Sequence, residues 1–314
     1  MRYLLAGLST RGLAESAVRA GKECCAVDFF GDLDLEQICS SISLRREYRA
    51  SLHLDPFLFL RAAETLEYDC LVYTGPLENY PQILQKFAER CEIIGNDAET
   101  VRKVRNWKIL YRFCKENKIL IPRTANGLDF VVKPKKSGGG IGIRRLPHYI
   151  VQEFVKGEAF SASVIGNGTE AEVISVNEQL IGKKEFDGRR FWYCGNITPA
   201  YTGKEEEIRN TCENLVKAFG LKGSSGIDFV VNQGVYLMEV NPRPQATLEI
   251  VEKAFDINLF LMHEQGCRGE STQRKNPQKT WGKAILYAEE DLRMPDTSEW
   301  LNYGWIKDIP HPFD

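Results

Sequence analysis

Two apolar runs flank a turn and carry two acids whose register decides whether they meet, and no other feature constrains this chain as tightly. Residues 226–244 read GIDFVVNQGVYLMEVNPRP. Their β-branched and aromatic content predicts strands over Ile227–Val231 and Val235–Val240, joined at Asn232-Gln233-Gly234. Gly234 is read as the source of the positive φ that a tight hairpin turn needs. With a two-residue loop, Gln233-Gly234, Asn232 pairs with Val235 and Asp228 falls opposite Glu239. Opposed residues in an antiparallel pair have Cβ atoms about 4.5–5.5 Å apart, where like charges repel. Something positive is therefore expected between them. Asn241, two residues beyond Glu239, shares its face. Two carboxylates and an amide oxygen make a hard-oxygen set suited to Mg²⁺ (or Mn²⁺) shared with phosphates. A three-residue loop would instead turn Asp228 and Glu239 to opposite faces, and the same residues also read as the solvated face of an edge hairpin. Spacing alone leaves these alternatives open.

Asp228 followed by Glu239-Val240-Asn241-Pro242-Arg243 resembles the metal-binding signature of the ATP-grasp superfamily, which includes D-alanine–D-alanine ligase, biotin carboxylase and many carboxylate–amine ligases. That signature gains specificity when a basic glycine loop precedes it. Phe130–Lys133 reads as a short strand leading into Pro134-Lys135-Lys136-Ser137-Gly138-Gly139-Gly140-Ile141-Gly142. Pro134 holds Lys133 extended. Consecutive glycines let backbone N–H groups approach a polyphosphate, and the lysines neutralise it. The other reading is a flexible basic linker, against which stands the loop's position between two strands.

The resemblance implies ATP as substrate and metal ligation by Asp228, Glu239 and Asn241. It makes Lys133 the strand lysine between adenine and phosphates, with Ser137, Gly138, Gly139 and Gly140 in the lid. Lys108 then precedes the lid and reaches the phosphates, and the backbone at Glu153 and Val155 meets the adenine edge. Two departures stand out. The gap from Gly142 to Tyr149 is too short for the helix that usually crosses the lid, so a reduced lid is expected. The family's ribose-binding Glu falls where this chain has Ala159, with Glu158 one position early. Gly226 also stands where many such ligases place an arginine, and the resemblance makes Arg243 its catalytic substitute.

The first 95 residues alternate strand and helix: Tyr3–Gly7, a helix to Gly21 capped by Ser9 or Thr10, Lys22–Phe29, Asp55–Leu66, Cys70–Thr74, Tyr80–Arg90 and Glu92–Ile94. That order predicts an open parallel α/β unit. Gly7 and Gly12 complete neither G-x-G-x-x-G nor a P-loop, which argues against dinucleotide binding. Function in such sheets sits beyond the carboxyl ends of the strands. Arg11 there is suited to an anion such as a substrate carboxylate, or else is solvated or paired with Asp28 or Asp32. Glu78 reads as an amine-binding acid or as surface loop. Asp32–Glu36 lacks the Gly and Glu of a calcium loop, having Gln37 and Ser43 in their places. Asn96-Asp97-Ala98-Glu99 reads as a capping box opening a helix to Arg105, with a second helix over Asn106–Asn117. The tail is rich in proline and aromatics and offers no motif.

The fold expected is α/β and α+β: an ATP-grasp fold preceded by an open parallel α/β domain. Its units are 1–95 on the substrate side, 96–155 as a reduced lid, and 156–314 as the larger metal-bearing part. Lys plus Arg number 41 and Asp plus Glu 43, a net charge of −2 with no general pull toward nucleic acid or membrane. The run Leu4–Leu8 is too short for a signal h-region, and no run approaches the roughly 20 apolar residues of a membrane span. Nine cysteines without a CxxC argue for reduced thiols in the cytoplasm. The four histidines lie too far apart to suggest zinc. Within the superfamily, STRGLAESAVRAG and DFFGDLD resemble the archaeal-type ATP-dependent carboligases and, more loosely, tyramine–glutamate ligase. The activity implied is ligation of a small-molecule carboxylate to an amine through an acyl phosphate, with a homodimer left open. The rivals are a catalytically silent ATP-binding regulator and a biotin-carboxylase-like enzyme, the latter requiring bicarbonate-dependent ATP cleavage.

Overall fold

The structure is a computed structural model and describes residues 1–51, 54–124, 130–134, 139, 149–290 and 292–312. The chain opens with β1 (Arg2–Gly7), α1 (Arg11–Arg19), β2 (Glu23–Asp28), α2 (Leu33–Glu36), β3 (Ser40–Ser43), α3 (Leu44–Tyr48), α4 (Phe57–Ala63), β4 (Cys70–Tyr73), α5 (Pro81–Ala88) and β5 (Glu92–Ile93). The five strands pair in parallel in the order β3-β2-β1-β4-β5. Central β1 is a continuous apolar run, as a strand covered on both faces requires. Strand β3 was not expected. Its Ser40-Ser41 start has little strand propensity, and it forms by completing the edge of β2.

Helices α6 (Ala98–Val104) and α7 (Trp107–Glu116) follow, then the antiparallel pair β6 (Phe130–Pro134) and β7 (Tyr149–Glu153). The cap of α6 lies one residue later than the capping box predicts. Asp97, not Asn96, accepts from the Thr100 N–H, at 2.8 Å. Asn96 is buried and reaches a different sheet. Its Nδ2 donates to the carbonyls of Lys222 (3.1 Å) and Pro242 (3.0 Å), and its Oδ1 accepts from Lys222 N–H (2.8 Å). Thr10 likewise makes no helix cap; its hydroxyl donates to Asp28 at 2.8 Å.

The second large sheet contains β8 (Glu158–Asn167), β9 (Ala171–Ile181), β10 (Tyr193–Thr198), β11 (Lys222–Val231), β12 (Val235–Asn241) and β13 (Trp281–Ala284). Its order is β12-β11-β8-β9-β10-β13, antiparallel throughout. Helix α8 (Glu205–Phe219) covers one face by burying Ile208, Cys212, Leu215 and Val216 against β8 and β9. Helices α9 (Leu248–Phe255) and α10 (Leu259–Cys267) join the two sheets. Leu5, Leu13 and Val72 of the first unit share one core with Leu248, Val251, Phe255 and Phe260. Each such side chain contributes about 1.5–3 kcal/mol when fully buried. Residues 307–311 return to the first unit. Leu33 N–H donates to the Ile309 carbonyl (2.7 Å), and Asp34 accepts from the N–H groups of Asp308 (3.1 Å) and Ile309 (2.9 Å).

Candidate active site

The β11–β12 hairpin sets the site, and its register combines both readings. Val231 pairs with Val235, so the loop has three residues, Asn232-Gln233-Gly234. Phe229 then pairs with Leu237, the register shifts at Met238, and Asp228 pairs with Glu239. The extra residue of this β-bulge cancels the extra residue of the loop. Asp228 faces Glu239 as the two-residue loop predicts, and both Met238 and Glu239 line the same cavity. Asn241 pairs with Gly226 and lies on that face too. Gly234 does not take positive φ. Its need is for space, because a Cβ there would come within 2.5 Å of Leu120 Cδ1.

The cavity beside this face has a volume of about 360 Å³. Asp228, Glu239, Asn241 and Arg243 line it together with Lys133 and Glu153-Phe154-Val155. Loss of hydration at its foot raises the Asp228 pKa to about 7, and the facing charge of Glu239 adds to the rise. Asp228 Oδ1 accepts from Gln179 (3.1 Å) and Oδ2 from Asn241 (2.9 Å). The positive charge expected near the pair is Arg105, whose Nη1 lies 2.5 Å from Glu239 Oε1 while Nη2 donates to Asn79 Oδ1 at 2.8 Å. Burial lowers the Lys133 pKa, opposed by Glu239 and Asp228, and its Nζ stands 5.9 Å from the Trp107 ring centre.

Arg243 donates from Nε to Glu78 Oε1 at 2.9 Å and from Nη1 to the Pro244 carbonyl at 3.1 Å. Glu78 is 2% exposed, so the surface-loop reading fails, and its Oε2 has no partner. Glu249 and Glu252, which follow Arg243 in the chain, pair with Arg11 and Arg19. A Cβ on Gly226 would overlap the carboxamide of Gln245, so this position is closed to a larger side chain while Gln245 stands there.

Other predicted residues are distributed unevenly. Glu153 and Val155 line the cavity, although the Glu153 carboxylate is held by Arg123 at 2.8 and 2.9 Å. Gly139 also lines it, with φ +67°, and its carbonyl accepts from Tyr193 N–H at 3.4 Å. Ser137, Gly138 and Gly140 lie outside the described residues. Lys108 is exposed in the first turn of α7 and is not part of the cavity wall. Glu158 is exposed as well, and Ala159 takes the wall position. Arg105, Gln179, Tyr193 and Gln245 were missed. Arg105 lies at a helix end, where arginine ordinarily reads as solvated.

Two carboxylates and an amide on one face fit a divalent ion completed by phosphate oxygens. Among the described residues, no group of three or more His, Cys, Asp or Glu is placed to hold a metal by itself. No helix among the described residues is long and apolar enough to cross a membrane.

Residues 93–247 match the family described as the ATP-grasp domain. An uncharacterized protein of Methanocaldococcus jannaschii is 26% identical over 330 residues, covering 93% of this chain and 80% of that protein. A tyramine–L-glutamate ligase of Methanocaldococcus fervens is 30% identical over 173 residues, covering 55% of this chain and 56% of the ligase. The match to the ligase thus spans little more than half of that protein. A biotin carboxylase of Campylobacter jejuni, solved with an ATP analogue, superimposes with a TM-score of 0.70. That superposition covers 88% of this chain and 74% of the carboxylase at 14% identity, a likeness of fold alone.

Proposed function

We propose, for a chain that carries an ATP-grasp domain over residues 93–247 and has the ATP-grasp fold, that it is an ATP-dependent ligase joining a carboxylate to an amine through an acyl phosphate. The observation that carries this reading is the opposition of Asp228 and Glu239 in a cavity walled by Lys133 and Arg243. Arg105 offsets the charge of Glu239, and a cationic ligand would offset the remaining repulsion at Asp228. Mg²⁺ (or Mn²⁺) held by Asp228, Glu239 and Asn241 would supply charge neutralisation to the phosphates. Lys133 binds phosphate beside the adenine. Residues 96–155 act as a reduced lid, with the backbone at Glu153 and Val155 receiving the adenine edge. Arg105 holds Glu239 in place through its ion pair. Arg243 stabilises charge on the transferring phosphoryl or the acyl carbon, through the bidentate geometry that lysine lacks. The substrates are a small-molecule acid and amine gathered between the two sheets, and nine free cysteines support a cytoplasmic setting.

The test is phosphate release with Mg-ATP across a panel of acids and amines. Turnover that needs one acid and one amine, and that Asp228→Asn abolishes, is the expected result. ATP binding without turnover across the whole panel would overturn the ligase reading in favour of a regulator.

A further inference from the structure

Arg11 begins α1 just past the carboxyl end of β1, yet its side chain is only 1% exposed. It meets Glu15 (2.9 Å), Asp34 (3.3 Å), Glu249 (2.6 Å) and Asp308 (3.1 Å), and its Nη2 has no partner. Glu15 belongs to its own helix, and Asp34 and Glu249 to α2 and α9. Asp308 differs, since it is carried in by the returning segment 307–311. Its carboxylate also accepts from Ser9 Oγ (3.3 Å) and lies 3.5 Å from Lys283 Nζ, which Glu249 Oε2 holds in place from 2.8 Å. Burial opposes its charge, but Lys283 and Arg11 hold its pKa down at about 2.

Three features mark that carboxylate as replaceable. Asp308 has φ +55°, a conformation costly for a residue with a Cβ. The segment is already fastened by its backbone bonds to Leu33 and Asp34 and by buried Ile309, so the side chain is not needed to hold it. Asp32, 6% exposed with an unpartnered Oδ2, is repelled by Asp308, so the charge of Asp308 is opposed from within the fold.

The place also adjoins the reaction cavity. Lys283 pairs across the sheet with Asn196, a cavity wall residue. Glu249 follows two residues after Thr247, another wall residue. Tyr193, also in that wall, feels the charges of Asp228 and Glu249 together.

We propose that Ser9, Arg11 and Lys283 form a subsite for a carboxylate of the acid substrate other than the reacting one, and that Asp308 occupies it as an internal stand-in. The inference rests on the ligase reading and narrows the acid to one bearing two carboxylates. Guanidinium, ammonium and hydroxyl converging on one anion give charge-assisted hydrogen bonds that a neutral amide cannot match. An internal competitor scales apparent affinity by the fraction of molecules from which it is withdrawn.

Calorimetric titration without nucleotide tests this separately from turnover. Glutarate should bind Asp308→Gly at least tenfold more tightly than wild type, because glycine empties the cradle and suits the positive φ. Asp308→Asn, which keeps a side chain tolerant of that φ, should shift affinity in the same direction. Neutral glutaramide should show no gain, and adding Lys283→Met to Asp308→Gly should remove it. Equal glutarate affinity in wild type and both Asp308 variants overturns the proposal, as does a gain that survives Lys283→Met. Glutarate binding with this pattern but no phosphate release in any acid–amine pair would count against the ligase reading alone.

Discussion

A carboxylate that faces another at the foot of a cavity is stabilised by whatever neutralises one of them, and the two members of this pair are neutralised differently. Glu239 has Arg105, while Asp228 has only amide donors and a pKa raised to about 7 by burial and by Glu239. The two isosteric variants should therefore differ in stability and agree in activity. Asp228→Asn removes repulsion and should leave the metal-free protein as stable as wild type or slightly more so. Glu239→Gln strips a charged partner from Arg105 and should cost about 1.5–3 kcal/mol, as loss of a charged hydrogen bond does. Both should abolish turnover. Denaturant midpoints and phosphate release on the pair check this, and equal stability losses would show that Arg105 does not discriminate between them. Arg243 invites a second comparison. Arg243→Lys keeps the charge but not the fork that spans Glu78 and the cavity, so turnover should fall by on the order of 10²–10³ while ATP affinity holds. Normal turnover would remove Arg243 from the mechanism.

At the scale of elements, the hairpin shows what patterning can and cannot specify. The two acids were legible in residue types at a spacing of eleven, but whether they face each other was left open by that spacing. The loop length was not legible, and neither was the bulge at Met238 that compensates for it. A one-residue change in register reverses every facing, so a loop and a bulge must be chosen together. Nothing local distinguishes a residue that bulges from one that pairs. Lys108 and Glu158 were placed from the resemblance alone and stand outside the cavity, because each is one position from the residue that the local geometry turns inward or toward a partner. The glycine ahead of β8 shows the reverse case, where packing explains a residue that pattern leaves ambiguous. A Cβ on Gly157 would lie 2.5 Å from the Val231 carbonyl, at the junction where the lid strand β7 passes to β8 beside the end of β11. Gly157→Ala should push that junction off β11 and cost about 1–3 kcal/mol, as overpacking does. Since Val155 and Val230 line the cavity on either side, ATP affinity should weaken with it. Unchanged stability and affinity would mean that the junction relaxes freely.

Across the whole molecule, the contacts that pin one sheet to the other were the least legible, because they join residues far apart in sequence and carry no motif. Asn96 was read as a cap and proves to be a bridge to Lys222 and Pro242, and the featureless tail delivers Asp308 to Arg11. His263 is the clearest of these links. It is 1% exposed, with Nδ1 accepting from Ser224 N–H of β11 at 2.8 Å and Nε2 facing the Ile94 carbonyl beyond β5 at 2.9 Å. That pair of contacts requires a neutral ring, with Nε2 as the donor. Burial lowers the His263 pKa to about 4, against about 6.5 for an unfolded histidine. The folded protein thus binds this proton less readily than the unfolded chain. Its contribution to stability is complete above about pH 6.5 and is lost as pH falls toward 4, by about 3 kcal/mol over the window. Asp28 and Asp32 act in the opposite sense, since burial raises their pKa values to about 6 and 8. They are common to wild type and variant and cancel in a difference. Unfolding free energies of wild type and His263→Gln, compared from pH 7 to pH 4, should therefore converge as acid removes the advantage of the neutral imidazole. A difference that stays constant across that range would show that His263 takes up its proton as readily folded as unfolded, and so is not held neutral by these two contacts.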